Sequence, residues 1–166
     1  MKKVLMLVLA LAMVLSMTAC GEKETQPVGL GGNGVQIPNP IVECENLDDA
    51  SEIAGFSMSA PDTVPNWANE VMIQAIEDDM IEMIYAGADQ QELRVRKANG
   101  HEDVSGEYGS FDETEEVMIN GQTTTLKINN GKIHVAIWTD GDYSYAVSTT
   151  EGIEKAQVED LVSAIN

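Results

Sequence analysis

Residues 115–148 read EEVMINGQTTTLKINNGKIHVAIWTDGDYSYAVS, and this stretch decides the fold. Three dipeptides divide it at regular intervals: Asn120-Gly121, Asn130-Gly131 and Asp140-Gly141. Asn-Gly and Asp-Gly are the strongest short signals for two-residue hairpin turns, because these residues tolerate positive φ. The segments between the turns are rich in β-branched and aromatic residues, which favour strands. The stretch therefore predicts four consecutive antiparallel strands.

Upstream of this stretch, the pattern predicts three more strands, over Glu70–Glu77, Met80–Ala86 and Gln91–Lys97. The pair Asp78-Asp79 lies between the first two strands and indicates a hairpin turn. In the third strand, apolar residues alternate with Arg94 and Arg96, which predicts one buried and one solvent-exposed face. Seven strands, several of them linked by tight turns, predict an antiparallel meander.

Two helices complete the domain. A short helix is predicted over Asn46–Gly55, where Asn46 suits the N-cap and Gly55 suits the residue after the last turn. The segment Glu154–Asn166 carries an apolar stripe of helical spacing, formed by Val158, Leu161, Val162 and Ile165. The prediction is an α+β domain over residues 43–166, with a single antiparallel sheet of about seven strands packed against a short N-terminal helix and a C-terminal amphipathic helix.

The first 19 residues have the pattern of a signal peptide. Lys2 and Lys3 precede the apolar run Val4–Leu15, which is too short to span the roughly 30 Å hydrocarbon core of a bilayer. The ending Met-Thr-Ala-Cys resembles a bacterial lipobox, with Cys20 as the lipidated residue and Met17 where leucine is usual. Because stable anchoring takes more than one acyl chain, the diacyl or triacyl group that this resemblance implies would hold the protein on the bilayer.

Two other interpretations of the N-terminus remain open. An ordinary signal peptide cut near Ala19 would leave a free secreted protein, and an uncut one would remain as a membrane anchor. Residues 20–42 contain the lipidated cysteine followed by a glycine- and proline-rich segment, which is typical of a flexible tether. The expected location is the extracytoplasmic face of a cell membrane.

The charge of the chain excludes some partners. The 166 residues carry a formal net charge of −19, and without residues 1–19 seven basic residues face 28 acidic ones. Such an excess argues against a nucleic-acid partner, whose phosphates would be repelled. The two cysteines, Cys20 and Cys44, give no disulfide framework. No nucleophile elbow, phosphate loop or dinucleotide fingerprint occurs, so neither catalytic residues nor a cofactor are predicted.

Several short motifs occur in a characteristic order. They are Ala54-Gly55-Phe56, Val64-Pro65, Met83-Ile84-Tyr85, Asn120-Gly121, the run from Ala136 to Gly141, and Tyr143-Ser144-Tyr145. This order resembles the family catalogued as domain of unknown function 4367, over about residues 46–166. Members are found in lipoproteins and in the outer parts of anti-sigma-like membrane proteins, chiefly of Gram-positive bacteria. The resemblance implies a fold and a location, and it transfers no catalytic residues.

The longest irregular connection is predicted over residues 98–116, ANGHEDVSGEYGSFDETEE. Its side chains include candidate metal ligands, above all His101, Glu102 and Asp103. The segment matches neither a twelve-residue calcium loop nor the His-Glu-x-x-His zinc pattern. It is therefore interpreted as a solvated acidic loop, with a metal-dependent hydrolase as the alternative.

A second candidate site is an aromatic surface. His134 and Trp138 share one side of their predicted strand, while Tyr143 and Tyr145 share one side of the next. Together these four residues could form a platform for a sugar or a peptide, although packing beneath a helix is the commoner role of such rings. The sequence thus favours a non-enzymatic binding, interaction or sensing domain of unknown ligand, with the bilayer and an envelope or membrane protein as its partners.

Overall fold

A computed structural model describes residues 39–166 of the chain. The predicted signal peptide, Cys20 and most of the predicted tether lie outside these residues. The described part contains eight strands and two helices, and a short 3₁₀ turn lies at Ala88–Gln90. In chain order the elements are β1 (Ile41–Cys44), α1 (Leu47–Ala54), β2 (Glu70–Ile76), β3 (Met80–Ala86), β4 (Glu92–Asn99), β5 (Glu113–Ile119), β6 (Gln122–Asn129), β7 (Lys132–Asp140), β8 (Tyr143–Ile153) and α2 (Lys155–Ala164).

All eight strands form one antiparallel sheet in the order β1-β2-β3-β4-β8-β7-β6-β5. Two meanders, β1–β4 and β5–β8, are joined side by side where β4 pairs with β8. The connection from β4 to β5 must therefore cross β8, β7 and β6 to reach the far edge of the sheet. The predicted α+β fold with an antiparallel sheet and two helices is confirmed, and the strand count is eight rather than seven.

The additional strand is β1, which pairs with β2 from Ile41 opposite Ile76 to Cys44 opposite Ile73. Its four residues are too few to show a clear period of two, and glycines and prolines precede them. The strand begins within the range that the sequence assigned to the tether. Only its pairing with β2 identifies it as a strand.

The hairpin turns follow the local sequence closely. Asn120 and Gly121 both have positive φ (49° and 83°), as do Asn130 and Gly131 (53° and 74°), which is the requirement of a type I′ turn. The third turn lies one residue later than predicted, because Asp140 pairs with Tyr143 and leaves Gly141 and Asp142 at the tip. There only Gly141 has positive φ, at 58°, as a type II′ turn requires.

α1 begins and ends where its sequence predicts, whereas α2 ends at Ala164, two residues before the predicted end at Asn166. The Asn46 side chain accepts a hydrogen bond of 2.9 Å from the Asp49 amide, and Gly55 ends α1 in the left-handed conformation with φ 78°. The apolar stripe of α2 is buried, and each such side chain contributes about 1.5–3 kcal/mol through burial. Both helices pack against the sheet, and the side that carries the buried core is called the helix face.

Candidate functional site

Trp138 and Tyr145, two of the four predicted platform residues, lie in the core on the helix face. Their side chains are only 2% and 3% exposed, and their rings stack with centroids 5.3 Å apart and an interplanar angle of 7°. Trp138 lies opposite Tyr145 across the β7–β8 pair, so the stacking follows directly from the register. These rings pack beneath a helix and offer no surface to a ligand.

Tyr143, the third platform residue, belongs to a cluster around a buried lysine. The Lys97 ammonium lies 4.5 Å from the Tyr143 ring centroid and donates a 2.7 Å hydrogen bond to the Ser57 carbonyl. Phe56 packs on Tyr143 with ring centroids 4.9 Å apart. Burial lowers the pKa of Lys97, against the smaller opposite effect of Asp140. Because cation–π contacts and a carbonyl satisfy the ammonium, this cluster has a structural role.

His134 is separated from the other three by a bulge. The β7 register shifts between Ile133 and Val135, so Ile133 joins the core and His134 is the extra residue. The Nδ1 atom of His134 lies 3.1 Å from the Thr149 carbonyl oxygen. The half-buried ring lines a cleft of about 270 Å³ together with loop residues, among them Glu107 and Phe111. The structure therefore does not assemble the predicted aromatic platform.

The acidic connection, residues 100–112 in the structure, is held against the sheet by its own carboxylates. It lies on the side opposite the helices, which is called the loop face. Asp103 accepts a 2.8 Å hydrogen bond from Lys127 and a 2.9 Å bond from the Ser105 amide. Lys127 also donates to the Glu107 carbonyl at 3.2 Å. At the end of the loop, the Asp112 carboxylate accepts a bond from the Asn130 amide at 2.9 Å.

The three candidate metal ligands do not converge. His101 and Glu102 are exposed, whereas Asp103 is committed to Lys127. Within residues 39–166, no group of three or more histidine, cysteine, aspartate or glutamate side chains is placed to hold a metal ion. The carboxylate of Asp103 therefore fixes the loop to the sheet and does not join His101 and Glu102 in a metal site.

No motif in the sequence indicated the ion cluster that lies beside this loop. Glu82 is only 1% exposed, and its carboxylate accepts hydrogen bonds from Arg96 at 2.6 Å, from Arg94 at 3.1 Å and from the Gln74 amide. Arg96 also donates to the Val104 carbonyl at 2.9 Å, which ties the cluster to the loop. The face of β4 that carries Arg94 and Arg96 was predicted to be solvent-exposed. It is partly covered, because the loop lies across it.

We expect Lys127→Ala to loosen the loop. Its ammonium binds both Asp103 and the Glu107 carbonyl, so its removal leaves the middle of the loop without its contact to β6. Amide hydrogen exchange in residues 100–112 should become faster, while exchange in the central strands should stay unchanged. Lys132→Ala is the matched control, because Lys132 is exposed and has no such contacts within residues 39–166. Equal exchange in the two variants would contradict the assignment.

Acid should loosen the same loop in the wild-type protein. Burial by itself raises the pKa of Asp103, but hydrogen bonds from Lys127 and Ser105, with the charge of Lys127, outweigh it and hold the pKa below the ordinary 3.8. The stabilisation that the ionised Asp103 carboxylate gives to the loop is therefore present above pH 3.8. It is lost as the pH falls through the lowered pKa. Exchange in the loop should rise over that range, and Asp103→Asn should abolish the pH dependence.

An exposed apolar edge lies at the opposite end of the sheet from β5. Within residues 39–166, six large hydrophobic side chains are exposed, and four of them are Ile41, Val42, Val71 and Met72. These four side chains are between 40% and 53% exposed. They lie on β1 and on residues 70–72 of β2, which extend beyond the last β1 pair at Ile73. These two segments together are called the β1 edge.

The charge around the β1 edge has a single sign. Residues 39–93 contain thirteen acidic residues and no lysine or arginine. Glu43 and Glu45 are exposed on and just after β1, and Glu70 is exposed at the start of β2. The turn beside Ile41 adds Glu77, Asp78 and Asp79, all of them exposed. The β1 edge therefore combines aliphatic side chains with a strongly negative surrounding surface.

Comparison with known proteins adds no relative to this picture. No family model, curated protein or solved structure matches the chain. The resemblance to domain of unknown function 4367 therefore stays a prediction. Within the part of the chain that the structure describes, no helix has the length and apolar character needed to cross a membrane.

Proposed function

We propose that this protein is a non-enzymatic interaction domain, held by a lipid on Cys20 at the extracytoplasmic face of a cell membrane. The observation that carries the proposal is the β1 edge, where four apolar side chains are exposed on β1 and the start of β2, and where β1 pairs on one side only. Natural sheets usually protect their edges, so an edge strand with exposed apolar side chains is a candidate contact surface. The acidic domain would recognise its partner while a tether of about twenty residues holds it at the bilayer.

The other edge of the sheet supports this assignment by contrast. β5 carries exposed Glu113, Glu115 and Glu116, so three carboxylates line the strand that could otherwise pair with another chain. Charged side chains on an edge strand discourage unwanted pairing. Of the two edge strands in the described domain, β5 carries three glutamates, whereas β1 carries one, Glu43, beside the exposed Ile41 and Val42. The β1 edge is therefore the better candidate for contact with a partner.

The alternative of a metal-dependent hydrolase gains no comparable support. Asp103 fixes the loop through Lys127, and the exposed His101 and Glu102 join no convergent donor set. A general base needs to lie within hydrogen-bond reach of its substrate in a defined site. The β1 edge offers a more specific observation, and the interaction domain is accordingly preferred.

The lipid anchor predicts the behaviour of a Cys20→Ser variant. Without the thiol that carries the acyl chains, the processed protein should move from the membrane fraction to the soluble fraction. Fractionation of cells followed by immunoblotting measures this directly, and Cys44→Ser is the matched control that should stay with the membrane. Membrane retention of a signal-cleaved Cys20→Ser protein would contradict the lipid anchor.

The interaction surface can be tested by photocrosslinking in cells. A photoreactive amino acid at Val42 should give a discrete crosslinked product, because Val42 is 45% exposed at the centre of the proposed surface. The same amino acid at Met118, which is 67% exposed at the β5 edge, is the control and should give none. Equal products from both positions, or none from Val42, would overturn the assignment of the surface.

A further inference from the structure

We propose that the partner presents an extended basic segment that pairs with β1 as a ninth strand of the sheet. This inference rests on the proposed function, because it names the chemistry of what binds at the β1 edge. It commits to a peptide segment of another protein that combines lysine or arginine with aliphatic residues. Three observations carry it: the free backbone groups of β1, the aliphatic side chains beside them, and the sign of the surrounding charge.

The backbone of β1 has hydrogen-bonding groups that face away from the sheet. The Ile41 amide donates to the Asn39 side chain at 3.2 Å and so points away from β2. Because successive residues of a strand direct their backbone groups to alternate sides, the amide and carbonyl of Glu43 also point outwards. Within residues 39–166 no strand lies on this outer side of β1. An added strand would pair with the outward amide and carbonyl of Glu43, as in peptide recognition by β-strand addition.

The side chains of β1 would lie on both faces of the added strand. Val42 and Cys44 lie on the helix face, and Ile41 and Glu43 lie on the loop face, as the register with β2 shows. An adjacent strand would cover the exposed parts of Ile41 and Val42, and the removal of this apolar surface from water favours binding. Aliphatic residues in the partner are therefore expected on the helix face next to Val42, and lysine or arginine on the loop face next to Glu43.

Charge decides between a foreign segment and a second copy of this chain. Pairing β1 with β1 of a second copy would bring the exposed Glu43 and Glu45 of both molecules together, within a surface that has no lysine or arginine through residue 93. Like charges placed opposite each other in an interface weaken association. A basic segment would be attracted to the same carboxylates, because its charge has the opposite sign. The same charge repels an anionic bilayer, so the edge is not a lipid-binding surface.

The test uses the full mature chain with Cys20→Ser and fluorescently labelled peptides of about eight residues, a length typical of a strand. The probe alternates lysine and valine. One control peptide replaces its two central valines with proline, which cannot complete the backbone pairing, and a second alternates glutamate and valine. Binding is measured by fluorescence anisotropy, and amide hydrogen exchange reports the contact site. The lysine–valine peptide should bind most tightly and should slow exchange of the Glu43 amide.

Matched protein variants separate strand pairing from general attraction between opposite charges. Val42→Lys should weaken binding of the lysine–valine peptide by about tenfold, because it adds a like charge and removes an apolar contact at the edge. Met118→Lys changes the net charge equally at the β5 edge and should leave the affinity within about twofold. Equal losses in the two variants, or equal binding of the proline peptide, would overturn the inference.

The outcomes also separate this inference from the proposed function. If Val42 crosslinks to a partner in cells but the lysine–valine peptide shows none of the expected behaviour, the partner chemistry is wrong while the interaction surface stands. If Val42 gives no product and the peptide does not bind, both fall. A crosslinked product of two copies of this chain from position 42 would replace the basic segment with self-association.

Discussion

Replacing Trp138 with alanine is expected to lower the free energy of unfolding by about 3–5 kcal/mol, the usual cost of removing a large buried aromatic ring. The ring is 2% exposed and stacks on Tyr145 in the core beneath the helices. Its loss removes that stacking contact and leaves a cavity in the core on the helix face, which the closely packed neighbours can close only in part. The effect is large because Trp138 is part of the core and not of a binding platform.

Urea unfolding of the purified protein measures this effect through the midpoint and slope of the transition. Tyr108→Ala is the control, because Tyr108 is 91% exposed in the loop and its removal should change stability by less than about 0.5 kcal/mol. A loss below about 1 kcal/mol for Trp138→Ala would contradict a buried ring. That outcome would return Trp138 to the list of candidate ligand-binding residues.

Glu82→Gln is expected to destabilise the protein by about 2–4 kcal/mol. Removing one partner of a buried ion pair usually costs about 3–5 kcal/mol, and a smaller value is expected here because the Arg94 side chain is 33% exposed and partly screened. The neutral amide leaves the guanidinium groups of Arg94 and Arg96 without the charge that holds them together. Because Arg96 also binds the Val104 carbonyl, amide exchange in residues 100–112 should become faster.

Glu92→Gln is the matched control for this prediction. Glu92 pairs with Arg94 as Glu82 does, but its side chain is 34% exposed, and exposed ion pairs contribute about 1 kcal/mol at most. Urea unfolding should therefore show a much smaller change for Glu92→Gln, with no effect on exchange in the loop. Similar losses in the two variants would show that burial of Glu82 adds nothing to its importance.

Much of the fold follows from short-range patterns in the sequence. The turns at Asn120-Gly121 and Asn130-Gly131 need positive φ at both central residues, and few other dipeptides provide it. The Asn46 cap and the Gly55 stop act within one turn of α1. Because these signals need only neighbouring residues, the hairpins and both helices could be predicted without knowledge of the tertiary structure.

The surroundings of Glu82 and of His134 were much harder to predict. Glu82 lies in the apolar strand segment MIEMIYA, where an isolated glutamate normally indicates an exposed position. Its burial depends on Arg94 and Arg96 from the neighbouring strand and on the loop that crosses them. His134 and Trp138 have the spacing of one strand face, and only the bulge between Ile133 and Val135 separates them. A β-bulge and the burial of a side chain by a distant loop both depend on contacts between residues that are far apart in the sequence.

Local sequence signals alone predict the turns at Asn120-Gly121 and Asn130-Gly131, the ends of α1, the apolar stripe of α2 and the negative charge of the domain. Only the tertiary structure decided that β4 pairs with β8, from Leu93 opposite Thr149 to Asn99 opposite Tyr143. That pairing sends residues 100–112 across the loop face, encloses Glu82 and leaves β1 as an exposed edge. Backbone preferences act over only a few neighbouring residues. Strand order, in contrast, is set by the apolar surface that strands distant in the sequence bury together.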